Sequence, residues 1–103
     1  MIECNKEIAQ IFKALSDEHR VEIIKLLQRG DMCACNISDN LNLSQSKLSY
    51  HMKILCESKI VESWNEGKWT HYKISKKGGE EAVLIAKDLT KVNKTNKNYS
   101  CLE

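Results

Sequence analysis

The sequence predicts a small, mainly helical α+β domain: four helices, a β-hairpin and a closing helix. Three observations predict this. Apolar residues recur at three- and four-residue spacing from Ile8 to Leu55 and again after Gly79. The segment "IVESWNEGKWTHYKI", residues 60–74, carries two short β-type runs around a glycine turn. The chain of 103 residues is long enough for one modest core and too short for two.

Ile8, Ile11, Phe12 and Leu15 place a first amphipathic helix over residues 5–15. Asp17 can cap a second, with Val21, Ile24 and Leu27 on its apolar side, Ile23 and Leu26 beside them, and Gly30 as its stop. A short third helix fits residues 35–41, with Ile37 and Leu41 four apart. "NLS" at 42–44 then forms a tight turn, and Ser44 caps a fourth helix running to Glu57. Two helices joined by so short a turn are a helix-turn-helix candidate.

At about 100° per residue, Leu48, Met52 and Leu55 fall on one side of the fourth helix, and Ser46, Ser49, Tyr50 and Lys53 on the other. That outer stripe can both donate and accept hydrogen bonds, as base edges and phosphates require. In the hairpin, Val61–Trp64 and Trp69–Ile74 are the strands, with Gly67 in the turn and Lys68 at the tip, and Trp64 and Trp69 are expected to pair across it. A hairpin after such a helix acts as a wing whose lysine can reach a phosphate. The final helix is expected to start near Gly79 and to carry Ala82, Val83, Ala86 and Leu89. Its apolar stripe exceeds what closing the domain needs, so it is expected to form a dimer surface with the first helix. The predicted fold is thus α-α-α-α-β-β-α over residues 1–92, followed by a polar tail, 93–103.

Charge distribution says more than the net +2. Residues 1–43 sum to −2, residues 44–77 to +4, and residues 78–103 to zero. The positive third coincides with the fourth helix and the hairpin, the footprint of a DNA-contacting surface. No apolar run approaches the ~20 residues of a membrane span, and "MIECNKEIAQ" lacks a secretory apolar block. A cytoplasmic location and reduced thiols are therefore expected, and five cysteines do not suit a closed disulfide framework.

Cys33 and Cys35 stand one residue apart at the start of the third helix. Thiolates are natural ligands for soft, thiophilic centres, and a helix N-terminus favours the thiolate form. On a regular helix, residues two apart point about 200° away from each other. To share one atom, these two must therefore lie in a non-helical lead-in, or the first turn must unwind. Cys56 reads as packing, and His51 and His71 as a structural and a wing residue. An enzyme is not supported: there is no C-x-x-C, no strand before the cysteine pair and no nucleophile–base set. A winged module that has lost DNA binding is disfavoured by Lys47, Lys53 and Lys68.

In this order the pieces resemble the arsenical-resistance repressor (ArsR/SmtB) family of bacterial winged helix-turn-helix sensors. "FKALSDEHRVEIIKLL" is similar to the family's second-helix signature. "DMCACNISDNLNLSQSKLSYHMKIL" is similar to the third and recognition helices of its arsenic-sensing members, and "GKWTHYKIS" to their wing. The resemblance implies a homodimer that holds double-stranded operator DNA and leaves it when an inducer binds. It implies trivalent arsenic or antimony as inducer, through Cys33 and Cys35, with no permanent cofactor. Many such sensors carry a third cysteine where this chain has Ser38, which leaves Cys4 and Cys101 as candidates for a third ligand. "EEAVLIAKDL" contains no His, so the family's zinc-type site on the last helix is not expected. The expected DNA contacts are Ser44, Gln45, Ser46, Lys47, Ser49, Tyr50 and Lys53, with Lys68 on the wing. A thiol redox or reactive-sulfur sensor using Cys35 and Cys101 stays open, as does a sensor of another thiophile such as cadmium.

Overall fold

The computed structural model describes residues 4–93. Their order is α1 (Asn5–Ala14), α2 (Glu18–Leu27), β1 (Met32–Cys33), α3 (Ala34–Leu41), α4 (Gln45–Glu57), β2 (Val61–Glu66), β3 (Trp69–Ile74) and α5 (Lys76–Leu89). The winged helix-turn-helix expectation holds, with one added strand. The sheet is antiparallel, in the order β1-β3-β2. β1 pairs Met32 with Tyr72 and Cys33 with His71. It was not expected because two residues are too few to show alternation, so the expectation of no strand at the cysteine pair is corrected.

Local chemistry explains the helix limits. The Asp17 carboxylate accepts from the backbone N–H groups of His19 and Arg20 and starts α2. Asn42, at φ 53°, takes the left-handed conformation that ends α3. The Ser75 hydroxyl accepts from the Gly78 N–H, so α5 begins at Lys76 rather than at Gly79. Gly78 is buried because this turn packs on the backbone of Lys59 and Ile60, and a Cβ there would strike the Lys59 carbonyl. Gly78→Ala is expected to destabilise the fold by about 1–3 kcal/mol through this overpacking, as a lower urea midpoint at unchanged m-value.

Ile11, Ile23, Ile37, Met52, Leu55 and Val61 are the largest fully buried side chains, so the core joins α1, α2, α3, α4 and the base of β2. Wing residues alternate: Val61 is buried and Tyr72 and Ile74 pack against the core, whereas Trp64, His71 and Lys73 share the outer face. Gly67, at φ 62°, takes the first turn position, where a tight hairpin of this kind needs a positive φ. The tryptophans do not pair directly. Trp64 stands opposite His71 and stacks on it at 5.5 Å between ring centroids, whereas Trp69 stands opposite Glu66. Strand register overrides proximity to the turn here, leaving the two indoles diagonal. Cys101 and nearly all of the expected tail lie outside the described residues. No described helix is long and apolar enough to cross a membrane.

Candidate functional site

The turn between α3 and α4 is held from both sides. The Leu43 N–H donates to the Ser38 carbonyl at 3.1 Å, and the Ser38 hydroxyl donates to the Leu43 carbonyl. Ser38, at the position of the third cysteine in the resemblance, thus braces the turn. Ser44 then caps α4, its hydroxyl accepting from the Lys47 N–H at 3.2 Å.

Leu48, Met52 and Leu55 face the core, as the helical periodicity predicts. Ser44, Gln45, Ser46, Lys47, Ser49, Tyr50 and Lys53 are all exposed, and Lys68 is exposed at the wing tip. One outer surface therefore carries hydroxyl, amide and phenol groups on α4, able to hydrogen-bond base edges, with ammonium groups around them for phosphates.

Cys33 ends β1 and is also the residue before α3, extended at φ −78° and ψ 158°. Cys35 lies one residue inside the helix. This extended backbone removes the angular separation that a regular helix would impose, and the two Sγ atoms approach to 2.7 Å. The pair thus occupies a non-helical lead-in, one of the two arrangements the spacing allows.

The two thiols are unequal. The Cys33 thiol is held below its ordinary range, first by the S–H of Cys35 and second by the neighbouring Asn36 N–H, although the latter completes no full helix-capping bond. The Cys35 thiol is pushed up, first by donating to Cys33 and then by desolvation and the adjacent charge. The Cys33 proton therefore leaves more readily than the Cys35 proton, and the first thiolate formed is that of Cys33, supported by the Cys35 thiol.

Cys35 opens onto a cleft of about 330 Å³ that also touches Ser38, Gln45, Lys68 and Trp69. The thiol site, the start of the recognition helix and the wing tip therefore share one space. Cys4 sits exposed in front of α1. Among the described residues, no three His, Cys, Asp or Glu side chains cluster as a metal site. The Cys56 thiol is raised by burial, which suits packing rather than reaction.

The sequence marks His51 as structural and His71 as a wing residue, as found, but shows the partners of neither. Arg20 and His51 are buried and bonded to each other, Arg20 Nη1 lying 2.9 Å from His51 Nδ1. Periodicity held the signal: Arg20 shares a stripe with Ile23, Ile24 and Leu27, and His51 one with Leu48, Met52 and Leu55. His71 lies directly across the sheet from Cys33, a neighbour that only the β1 pairing creates.

The arsR family of bacterial regulatory proteins matches residues 17–63. The arsenical resistance operon repressor of Staphylococcus aureus is 35% identical over 98 residues, covering 93% of this chain and 89% of that protein. The arsenical resistance operon repressor of Bacillus subtilis (strain 168) is 39% identical over 71 residues, 68% of each chain. The fold is shared with the solution structure of a homodimeric winged helix-turn-helix DNA-binding domain from Mycobacterium bovis. That likeness has a TM-score of 0.68 at 20% identity and covers 84% of this chain and 86% of that one. The chain belongs to the ArsR family, whose members are transcriptional regulators and not enzymes.

Proposed function

We propose that this chain is a homodimeric cytoplasmic repressor that holds double-stranded operator DNA through α4 and the wing. Trivalent arsenic or antimony, bound by Cys33 and Cys35, releases it. The observation that carries the sensing is the 2.7 Å approach of two thiols of unlike acidity at the junction of β1 and α3. Cys33 is tied to the wing through β3, and Cys35 to the helix-turn-helix through α3. An arsenic atom across them fixes one geometry between the two DNA-contacting elements. Release follows because the inducer prefers a geometry other than the operator-bound one.

The dimer has support in the apolar side chains left exposed on α1 and α5, Phe12, Val83, Leu84 and Leu89. The Mycobacterium bovis relative is itself described as homodimeric. Both S. aureus and B. subtilis relatives are named for arsenical resistance. A third donor can come from Cys4 or from Cys101. Ser38 lines the same cleft as Cys35 and stands three residues on, on the same helix face. Ser38→Cys is therefore expected to tighten arsenite binding on the order of tenfold, about 1.4 kcal/mol. It should also lower stability by about 1 kcal/mol through loss of the bond to Leu43. Parallel arsenite titrations and urea unfolding check both expectations.

The same close approach favours a second reading, oxidative closure of Cys33 with Cys35, with Cys101 as the other partner weighed from sequence. Softness alone also admits cadmium. Fluorescence anisotropy on the duplex upstream of the chain's own gene separates these readings. Loss of binding with arsenite under reducing conditions supports the metalloid reading. Retention with arsenite but loss with peroxide selects the redox switch, and loss with cadmium alone selects that ion.

A further inference from the structure

Arg20 is 5% exposed and His51 6%, and neither belongs to the thiol site or to the outer face of α4. The guanidinium joins three helices. Its Nε donates to the Ala14 carbonyl at 3.2 Å and its Nη2 to the Lys13 carbonyl at 3.0 Å, closing the C-terminal end of α1. Its Nη1 reaches His51 Nδ1, in the middle of α4, at 2.9 Å. His51 directly follows Tyr50, whose ring lies 5.2 Å away edge-on and is 60% exposed on the DNA-facing side.

We infer that Arg20 and His51 are a positioning pair which sets α4 against α1 and α2 for DNA binding, and that a proton on His51 Nδ1 undoes it. This inference rests on the DNA-binding role of α4 proposed above.

An arginine side chain has five donors, no acceptor and a permanent charge. Nδ1 of His51 must therefore accept, which places the ring proton on Nε2 and leaves the imidazole neutral. Protonation would turn Nδ1 into a donor facing a donor and set a second positive charge beside the first. Little nearby relieves that. His19, 5.5 Å away ring to ring, Arg20 and Lys47 all oppose a proton on His51. Asp17 favours one, but its carboxylate already accepts the N–H groups of His19 and Arg20. α1 meets the pair with main-chain carbonyls.

Burial, first, and the positive charges of Arg20 and Lys47 hold the ring's pKa below its ordinary value of 6.5, against the opposite pull of Asp17. The unfolded chain therefore takes up this proton more readily than the folded one. The link is complete above pH 6.5 and is lost as pH falls below it, through the folded-state value. General electrostatics points the other way, because protonating exposed histidines adds positive charge and tightens DNA binding. A fall in affinity with acid is thus diagnostic of the buried pair.

The test is anisotropy on the upstream duplex at pH 7.5 and 5.5, at fixed ionic strength, with reduced, metalloid-free protein. Wild type is compared with His51→Asn, whose amide oxygen can take the place of Nδ1 and does not titrate. Wild type is expected to bind measurably more weakly at pH 5.5, by a factor that stays below about tenfold because the ring's pKa lies under 6.5 and only part of the population is protonated there. His51→Asn should keep or gain affinity at pH 5.5. Equal or tighter wild-type binding at pH 5.5, or a parallel loss in His51→Asn, overturns the inference. Nitrogen-15 shifts of the wild-type ring judge it independently of any variant. An unprotonated Nδ1 at pH 7.5 agrees with the inference, and a proton there overturns it. Absence of wild-type binding at pH 7.5 counts instead against the DNA-binding role, with the ring shifts still deciding the pair.

Discussion

With both Cys33 and Cys35 replaced by serine, the protein is expected to hold its operator within about twofold of wild-type affinity, the ordinary effect of surface substitutions away from special features. Arsenite should no longer displace it. Cys35 is exposed and Cys33 only half-buried, so the smaller hydroxyls disturb little packing. Each single substitution should be nearly as severe as the pair, because one remaining thiolate cannot bridge β1 to α3. Such non-additivity is usual for groups that act as one unit. Anisotropy titrations of wild type, both single variants and the double variant check this.

The second large effect concerns the basic surface. Replacing Lys47, Lys53 and Lys68 together by alanine should lower the slope of log affinity against log salt by about 3 per protomer. At 0.15 M salt the corresponding loss is on the order of a hundredfold per protomer, and so roughly 10⁴-fold for the dimer, and it should be similar for operator and unrelated duplex. All three side chains are exposed, so thermal stability should change by only about 0.5 kcal/mol or less. Gln45→Ala, by contrast, should weaken the operator selectively if the amide reads a base edge, by about 1–3 kcal/mol.

The limits of α2, α3 and α4 were legible where the chain carries its own punctuation. Asp17, Asn42 and Ser44 cap or stop elements where the sequence places them, and the stripe of Leu48, Met52 and Leu55 is buried. What escaped depends on partners distant in sequence. Met32 and Cys33 form a strand because β3 offers them an edge, and no local pattern announces that. Arg20 has no role marked in the sequence, because α1 supplies its carbonyls and α4 its acceptor. α5 starts early because the Ser75 cap outweighs two glycines in its first turns, one of which is needed for close approach to Lys59.

For the candidate site, the sequence contained the cysteine spacing and the geometric condition on it. The structure meets that condition by keeping Cys33 extended. The sequence could not place His71 opposite Cys33, nor show that Cys35 shares a cleft with the wing tip, since both follow from sheet register. Ser38 was readable only as a departure from the resemblance. Its bond to Leu43 gives it work of its own in holding the helix-turn-helix.

X-ray absorption at the arsenic edge, on full-length reduced protein loaded with arsenite, tests the central claim most directly. The account predicts at least two sulfur ligands in wild type and their loss when Cys33 and Cys35 are serine. Oxygen-only coordination in wild type, or an unchanged sulfur shell in the double variant, would contradict it.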